Sequence, residues 1–382
     1  MAKVVILGGG FGGIVAANRL RKRLGQEHRI VLVDKCDVHI YNPSLLSLVF
    51  GEREPEKIKR ELGVLNKRGI KYVNAEVLKI DPARKSVTTS AGDFDYDYLV
   101  ISLGAELARE RVPGFKDFKE SYNFYCLNGA AALRDGLKGF NGGKVAIAIS
   151  STPFKCPAAP YELALLMDAS FSKRGIRGKT EIAVYTPEPY PMPSTGPEVG
   201  NAVREMIEGR GISFNPGKKL KSFGNKELIF EDGSKAQADL IPWVPPHKAP
   251  NAVIDSGLTD ESGWIPIDGK SMKTKFDGVY AIGDITANKL PSGIMLPKAG
   301  VFAHFEAEVV AHNIASEINK SGTLKEFDGK GYCFLEMGHG VAGFASGNFY
   351  ADPKPVVNLK KPGRIWHWGK IAIEKWWMWK WF

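Results

Sequence analysis

The sequence predicts an α/β fold composed of two Rossmann-like three-layer domains, each of the dinucleotide-binding type, followed by a C-terminal membrane-interface segment. Three observations support this prediction. Residues 4–24 read as a buried strand, a glycine-rich turn and an amphipathic helix, and a second strand-to-turn unit begins at Val145. Tryptophan and lysine residues are interleaved over residues 363–382.

Length, composition and charge describe an ordinary globular chain with a basic surface. The 382 residues suffice for two or three domains with large cores, and 44% hydrophobic and 25% charged residues are typical of folded proteins. The net charge of +10 favours contact with a negative surface, either nucleic acid or anionic lipid. We expect no membrane-spanning helix and no signal peptide, because no apolar run is long enough and a strand starts at Lys3.

The first unit has the pattern of a dinucleotide site. Its turn has the spacing G-x-G-x-x-G and comprises Gly8, Gly10, Phe11, Gly12 and Gly13. The glycines permit a tight turn and close backbone approach, and the helix start offers N–H groups to a pyrophosphate. The next strand ends at Asp34, followed by Lys35, where a carboxylate can accept hydrogen bonds from an adenosine ribose.

The second unit departs from this pattern. Its strand, residues 145–149, runs into a turn without glycines. Pro153 and Pro157 lack the N–H groups that a pyrophosphate cradle needs. Cys156 stands where a nicotinamide nucleotide would be expected, so this domain lacks a nicotinamide fingerprint.

Two further strand-to-turn signals lie at residues 96–106 and 278–285, and the second is similar to the segment by which flavoproteins with two dinucleotide domains hold FAD. This similarity implies that FAD is the cofactor and that Asp284 binds its ribityl chain. The other cofactor-binding candidates are Asn42, Pro43, Val77, Gly104, Gly283, Lys298 and Ala299. The predicted domains are an FAD-binding domain at residues 1–110 and 251–320, a second Rossmann-like domain at residues 111–250 and a C-terminal region at residues 321–382.

The chain as a whole resembles the sulfide:quinone oxidoreductases, disulfide-using flavoproteins related to the flavoprotein subunit of flavocytochrome c sulfide dehydrogenase. The segments that carry the resemblance are GGGFGG, YDYLVISLGAE, PFKCPAAPYE, GVYAIGD, LPKAGVFAHFEAE and GYCFLEMG. PFKCPAAPYE and GYCFLEMG are the pair that distinguishes this family within its superfamily. The resemblance implies sulfide and a membrane quinone as substrates, and no nucleic-acid partner.

The four cysteines lack metal-ligand spacing, which leaves redox chemistry or burial. The resemblance implies that Cys156 and Cys333 form a redox pair beside the flavin, as a disulfide or a sulfur-bridged equivalent. Sulfide would attack one sulfur of this pair, and two electrons would pass to FAD. Cys126 matches a family cysteine that is covalently bound to FAD in some members. Packing is the alternative for all three, and the expected role of Cys36. Glu162 is the candidate acid or base, or alternatively an acid favoured by a helix start.

The tail, residues 363–382, holds six of the eight tryptophans. Indole rings favour the headgroup boundary and lysines favour anionic lipid, which predicts a helix in the membrane interface and a peripheral membrane protein on either face. The alternative is an aromatic strip packed on the protein body or on a second subunit of a homo-oligomer. By resemblance, Phe334 and Phe344 are walls of a quinone pocket, with burial in the core as the alternative.

The predicted function is therefore FAD-dependent sulfide:quinone oxidoreduction. Three alternatives stay open. A type II NADH:quinone oxidoreductase is disfavoured by the missing second fingerprint, and a sulfide dehydrogenase with a cytochrome acceptor by the tryptophan tail and the lack of an export signal. The third is a non-catalytic flavoprotein that docks on membranes.

Overall fold

Two parallel sheets form the centre of the molecule, in a computed structural model that describes residues 1–116, 121–322 and 324–382. The described strands of the first sheet are, in spatial order, Val279–Ala281, Tyr98–Ile101, Lys3–Leu7, Arg29–Asp34 and Lys71–Asn74. All neighbours run parallel, with Val5 paired to Val31 on one side and to Leu99 on the other. This sheet therefore draws its strands from both halves of the predicted FAD-binding domain.

The second sheet is also parallel. Its described strands are Ser121–Asn123, Ile241–Val244, Gly143–Ile149, Thr180–Tyr185 and Ile212–Asn215. The two sheets confirm the predicted α/β class, since parallel strands buried on both faces are typical of such folds. The domain boundaries drawn from the sequence stay a prediction.

Helices cover one face of each parallel sheet. The α-helices in the described residues are α1 (Phe11–Arg23), α2 (Leu45–Val49), α3 (Leu127–Gly139), α4 (Ala159–Lys173), α5 (Pro197–Glu208), α6 (Asn251–Ile254), α7 (Gly300–Asn319) and α8 (Arg364–Lys380). In the first sheet Val4 and Ile6 pack toward α1 and α7, whereas Val5 and Leu7 belong to the core on the opposite face. The alternation follows from the two-residue period of a strand.

Antiparallel sheets cover the other faces of the two parallel sheets, and a further antiparallel sheet lies in the C-terminal region. One three-stranded sheet contains Val77–Asp81, Ser86–Thr89 and Gly92–Asp95, a second contains Leu220–Gly224, Glu227–Phe230 and Lys235–Gln237, and the C-terminal sheet contains Lys330–Glu336, Ala342–Asn348 and Val356–Gly363. Two short antiparallel pairs are Val38–Ile40 with Lys59–Glu61 and Glu106–Leu107 with His247–Lys248, and a short parallel pair joins Ile265–Pro266 to Thr286–Ala287. Each parallel sheet thus lies between a helical layer and an antiparallel layer.

The tail forms α8, and its two faces have different environments. Trp377 and Trp381 are buried in the core shared with α1 and α7. Trp368 and Trp379 are 65% and 74% exposed. One face of α8 therefore packs on the protein body, as one of the two alternatives from the sequence expects, and the other face is open; its role at a membrane stays a prediction. Within the described ranges, no helix has the length and apolar character needed to cross a bilayer.

Candidate active site

A cavity of about 390 Å³ is lined by residues of both parallel sheets' connecting loops, the C-terminal sheet, α7 and α8. The predicted site residues in its wall are Gly8, Gly10, Phe11, Gly12, Asp34, Asn42, Pro43, Gly104, Cys156, Glu162, Gly283, Asp284, Lys298, Ala299, Cys333 and Phe334. Those outside the wall formed by the described residues are Gly13, Lys35, Val77, Cys126 and Phe344. Segments far apart in the chain thus converge on one space.

Three of the residues outside the wall have other contacts. Lys35 donates to Glu106 over 2.7 Å at the surface. Val77 begins an antiparallel strand and packs, half-buried, against the core of the first sheet. Cys126 precedes α3, and its Sγ lies 3.5 Å from Nδ2 of Asn123. Their assigned roles remain predictions.

The glycine turn combines two kinds of glycine. A Cβ on Gly8, whose φ is +101°, would lie 2.2 Å from the backbone O of Ser102, and a Cβ on Gly13 would lie 1.8 Å from the O of Gly8. These two positions hold the turn against its neighbours. Around Gly10 no atom lies within 4 Å of a built Cβ, so its backbone is open to the cavity. The turn is therefore packed tightly at Gly8 and Gly13 and is open to the cavity at Gly10. This open side, the free edge of the turn, is what a bound pyrophosphate needs.

Asp34 fixes this turn from the end of the neighbouring strand. Its Oδ2 accepts the N–H of Gly9 over 2.5 Å, and its Oδ1 accepts the N–H of Cys36 over 2.7 Å. Burial raises the pKa of Asp34, and these two hydrogen bonds oppose that shift. Because the carboxylate also lines the cavity, its remaining acceptor positions can serve ribose hydroxyls.

Asp284 and Lys298 form the opposite end of the cavity wall. The Lys298 Nζ donates to the backbone O of Asp284 over 2.6 Å and to that of Thr286 over 3.0 Å. Burial lowers the pKa of Lys298 to about 8, while the charges of Asp284 and Glu306 oppose this. Glu306 accepts the N–H of Gly283 over 2.6 Å, and burial raises the pKa of Glu306 to about 7.

The start of α7 faces the same space. Ala299 is its N-cap, no acid occurs in its first turn, and its first residues line the cavity. The unneutralised helix N-terminus therefore directs positive potential into the site. Val301 and Phe305 of this helix are half-buried and lie in the cavity wall.

Cys156 is hydrogen-bonded to this part of the site. Its N–H donates to the backbone O of Lys298 over 2.7 Å, and the Tyr125 hydroxyl donates to its carbonyl over 3.1 Å. Its φ of +49° is in the left-handed region, which is unusual for a residue with a side chain. The second domain thus presents this cysteine in a constrained backbone conformation at the junction with the first.

Cys333 reaches the same cavity from the C-terminal sheet. Both cysteines are free thiols. Burial raises the pKa of Cys333 to about 12 and raises that of Cys156, with the charge of Glu162 adding to both and that of Lys370 opposing. Cys333 has solvent-accessible surface and lies in the cavity wall, so a small reagent can reach it.

A buried charge cluster lies beside the cysteines, and sequence reasoning found only one member, Glu162. Its Oε1 accepts from Lys370 Nζ over 2.9 Å and from the N–H of Glu336 over 2.8 Å. The Glu336 carboxylate lies 3.0 Å from His367 Nδ1 and 4.0 Å from Lys370. Burial favours a lower pKa for Lys370, but the two carboxylates raise it to about 12. Lys370 is therefore an ammonium held within the site.

The aromatic part of the wall lies between α7, the C-terminal sheet and α8. Its aromatic members are Phe305, Tyr332, Phe334 and Trp376, and the aliphatic Ile373 also lines the cavity. Phe344, the second residue assigned to a quinone pocket, stacks on Trp366 with ring centroids 4.5 Å apart and supports Phe334 at 5.1 Å. The structure thus places Phe334 in the wall and Phe344 behind it.

These residues fit FAD. The free edge of the glycine turn, the acids at the ends of two strands and the start of α7 provide groups for a pyrophosphate, a ribose and a ribityl chain in one cavity.

The glycine turn gives a test of this fit. We expect Gly13→Ala to destabilise the protein by about 2 kcal/mol or more, because its Cβ would collide with the backbone of Gly8. Gly10→Ala should keep the wild-type urea midpoint and weaken FAD binding. Urea unfolding and FAD titration of the apoprotein measure the two effects. An unchanged FAD affinity in Gly10→Ala would contradict the assignment of this edge to the cofactor.

The chain is similar to known proteins in sequence and in fold. The sequence profile of the family described as pyridine nucleotide-disulphide oxidoreductase matches residues 2–303. The mitochondrial sulfide:quinone oxidoreductase of Mus musculus is 26% identical over 369 residues, covering 92% of this chain and 79% of the relative. The sulfide-quinone reductase of Aquifex aeolicus is 28% identical over 402 residues, covering 100% and 91%. The crystal structure of the sulfide:quinone oxidoreductase from Aquifex aeolicus aligns with a TM-score of 0.90 at 25% identity, over 100% of this chain and 91% of that one.

Proposed function

This chain belongs to the pyridine nucleotide-disulphide oxidoreductase family, and we propose that it is a sulfide:quinone oxidoreductase that oxidises sulfide at Cys156 and Cys333. The observation that carries the proposal is that these two cysteines, from different parts of the chain, open into one cavity with the predicted FAD-binding residues. The predicted resemblance to this enzyme family is confirmed by the comparisons.

FAD, when bound, supplies a two-electron acceptor between the sulfur pair and the quinone. The residues that would hold it are Gly10, Asp34, Gly283, Asp284 and the start of α7. Lys298 keeps the Asp284 backbone in place and adds positive charge. The remaining chemistry belongs to side chains of this protein.

The sulfur chemistry follows from a cysteine pair in its disulfide or sulfur-bridged form. A hydrosulfide ion attacks one sulfur, the S–S bond breaks, and one cysteine becomes a persulfide while the other leaves as a thiolate. A second hydrosulfide takes the outer sulfur as HS₂⁻, and both cysteines are then reduced. Reoxidation of the pair releases two electrons to the acceptor, so that two HS⁻ yield HS₂⁻, one proton and two electrons.

The buried cluster supports these steps electrostatically. Burial raises the pKa of both cysteine thiols, and the charge of Glu162 adds to this rise, whereas the Lys370 ammonium opposes it. This ammonium is therefore placed to stabilise the thiolate released when the S–S bond breaks. Glu162, hydrogen-bonded to Lys370, is the group we assign to accept the proton of incoming hydrogen sulfide.

Two features of the second domain support the proposal that this domain does not bind NADH. Its first turn has no glycine edge like that of Gly10, and Phe154 in that turn is buried. Glu188, just beyond the second strand, is buried and accepts hydrogen bonds from the hydroxyls of Tyr161 and Thr186. A carboxylate already bound by two hydroxyls has less capacity to bind a ribose.

Anaerobic absorbance measurements on the FAD-loaded protein test the function. Sulfide should bleach the flavin within a single turnover, and NADH should not. A soluble quinone should then restore the flavin absorbance, and cytochrome c should not. Fast bleaching by NADH would support the nicotinamide enzyme. Absence of bleaching by sulfide, with vesicle binding retained, would support a non-catalytic flavoprotein.

The open face of α8 is proposed to bind the membrane surface, which would bring a lipid-soluble quinone to the aromatic wall beside Phe334. Trp368, Trp379 and Ile365 are exposed on this helix, and Lys375 and Lys380 lie among them. Their combination of indole rings and cations is that of an interfacial helix, and supports a peripheral membrane protein.

We expect the double variant Trp368→Ala/Trp379→Ala to bind anionic vesicles at least about tenfold more weakly, since two large apolar side chains would no longer enter the interface. Vesicle co-sedimentation measures the loss. Leu78→Ala is the matched control, because Leu78 is 54% exposed but lies on an antiparallel strand far along the chain from the tail. Equal vesicle binding by the double variant and the wild type would remove the tail from membrane docking.

The proposal includes covalent attachment of FAD through Cys126, which the family resemblance suggests. Tyr125, its neighbour, lines the cavity, whereas the Cys126 sulfur lies beside Asn123. Acid precipitation tests the bond. Yellow colour in the washed pellet, lost in Cys126→Ser, would establish it, and FAD in the supernatant would exclude it.

A further inference from the structure

The peptide group of Gly9, in the middle of the glycine turn, is held from both sides. Its N–H donates to Asp34 Oδ2 over 2.5 Å, and its carbonyl O lies 3.1 Å from His39 Nδ1. A carbonyl oxygen only accepts, so Nδ1 of His39 carries a hydrogen and donates it. The orientation of the turn toward the cavity therefore depends on two side chains from the following segment.

The other ring nitrogen of His39 contacts the tail. Trp377 Nε1 donates to His39 Nε2 over 3.1 Å. Because an indole N–H only donates, Nε2 must be the acceptor, which defines a neutral histidine in one tautomer. His39 is 2% exposed, and burial lowers its pKa to about 4. His39 thus joins the glycine turn to α8 through one hydrogen bond at each nitrogen.

Ring packing reinforces the same connection. The ring centroids of Trp377 and Phe11 are 4.4 Å apart, and Phe11 is the aromatic residue within the glycine turn. Phe11 in turn covers Gly300, where a Cβ would lie 3.0 Å from its Cγ. Both Phe11 and Trp377 are in the cavity wall. The tail therefore contacts the turn at the point where a pyrophosphate would approach.

The end of the tail is tied to α1 as well. The Asn18 Nδ2 donates to the carbonyl of Trp381 over 3.4 Å, and the Arg19 guanidinium lies 5.2 Å above the Trp381 ring. Arg68 donates to the carbonyl of Lys380 over 3.2 Å. The contacts of Asn18 and Arg19 hold the end of the tail on the helix that follows the glycine turn, and Arg68 adds a contact from the segment Leu62–Arg68.

From these contacts we infer that α8 is a structural part of the dinucleotide site, and that His39 and Trp377 are positioning residues that couple docking of the tail to retention of FAD. The inference rests on FAD as the cofactor of the proposed function. Undocking of α8 would remove Trp377 from the cavity wall and leave His39, which holds the Gly9 carbonyl, with one hydrogen-bond partner fewer. Since coupling between two equilibria is reciprocal, bound FAD must hold the tail in place as strongly as the docked tail holds FAD.

The test compares Trp377→Phe, which keeps an aromatic ring and removes the N–H, with Trp368→Phe on the open face of the same helix. FAD titration of the apoprotein, followed by flavin fluorescence, should give a dissociation constant about five- to tenfold higher for Trp377→Phe, the effect of one buried hydrogen bond. Trp368→Phe should bind FAD as the wild type does. Wild-type FAD affinity in Trp377→Phe would overturn the coupling.

The unmodified protein gives a second test that does not depend on the folding of a variant. Limited trypsin digestion of the apoprotein should cut the tail at Lys370, Lys375 or Lys380, and saturating FAD should slow this cleavage by a factor similar to the change in FAD affinity. Equal cleavage with and without FAD would also overturn the inference. Neither readout uses sulfide, so a protein that binds FAD in this way but ignores sulfide would contradict the proposed function alone.

Discussion

Cys156→Ser and Cys333→Ser should each lower the rate of flavin bleaching by sulfide by about a thousandfold or more. Serine has neither the nucleophilicity nor the leaving-group ability of the thiolate, and a pair that has lost one member cannot form an S–S bond. Stopped-flow absorbance under anaerobic conditions measures the rate. FAD content and the unfolding midpoint should stay close to wild type, because serine occupies nearly the same volume.

The matched control for this experiment is Cys36→Ser. Cys36 is exposed, follows Asp34 by two residues and lies outside the cavity wall of the described residues. Its replacement should leave bleaching unchanged. If Cys333→Ser bleached at the wild-type rate while Cys156→Ser did not, a single-cysteine mechanism would replace the paired one.

Replacement of Lys370 by methionine should cost about 3–5 kcal/mol in the free energy of unfolding. The change leaves Glu162 and Glu336 facing each other in a buried site without the cation between them. The Glu162 and Lys370 side chains are only 5% and 14% exposed, so solvent cannot compensate for the lost partner. Urea denaturation followed by far-ultraviolet circular dichroism measures the loss.

Lys375→Met on the same helix provides the control, since Lys375 is exposed and should change stability by less than about 0.5 kcal/mol. The double variant Glu162→Gln/Lys370→Met should recover part of the loss, because it removes one of the two uncompensated carboxylates. A double variant no more stable than Lys370→Met would show that the Glu162 charge is not the source of the penalty.

Local patterns in the sequence were sufficient for the parts of the fold that local physics determines. The glycine spacing after the first strand predicted the turn at Gly8, and the helix α1 follows it. An aspartate-proline pair at residues 81 and 82 is typical of a turn, and it lies between two paired antiparallel strands. A strand-to-helix unit without glycines was also expected, and Cys156 lies in that turn.

The sequence predicts the environment of the tail only in part, because the composition of the tail is compatible with two environments. Tryptophans at helical spacing indicate an apolar face, but the pattern does not state whether lipid or protein covers it. In the structure Trp377 and Lys370 face inward, toward His39 and Glu162 respectively. Such pairs are separated by most of the chain, so no local periodicity marks them.

The placement of Phe344 illustrates the same limit at shorter range. Phe334 and Phe344 are paired across neighbouring antiparallel strands, and both are aromatic. Only Phe334 reaches the cavity wall, since Phe344 is covered by Trp366 of α8. Which of two equivalent side chains meets a ligand depends on an element that follows them in the chain.

Mapping of the cysteine linkage in the oxidised enzyme tests the central claim most directly. Protein that has been reduced by sulfide and reoxidised by quinone is alkylated, digested without reductant and examined by mass spectrometry. We predict that the peptides containing Cys156 and Cys333 are joined, either directly or through added sulfur atoms, while Cys36 is alkylated. Full alkylation of both Cys156 and Cys333 in the active oxidised enzyme would contradict the account.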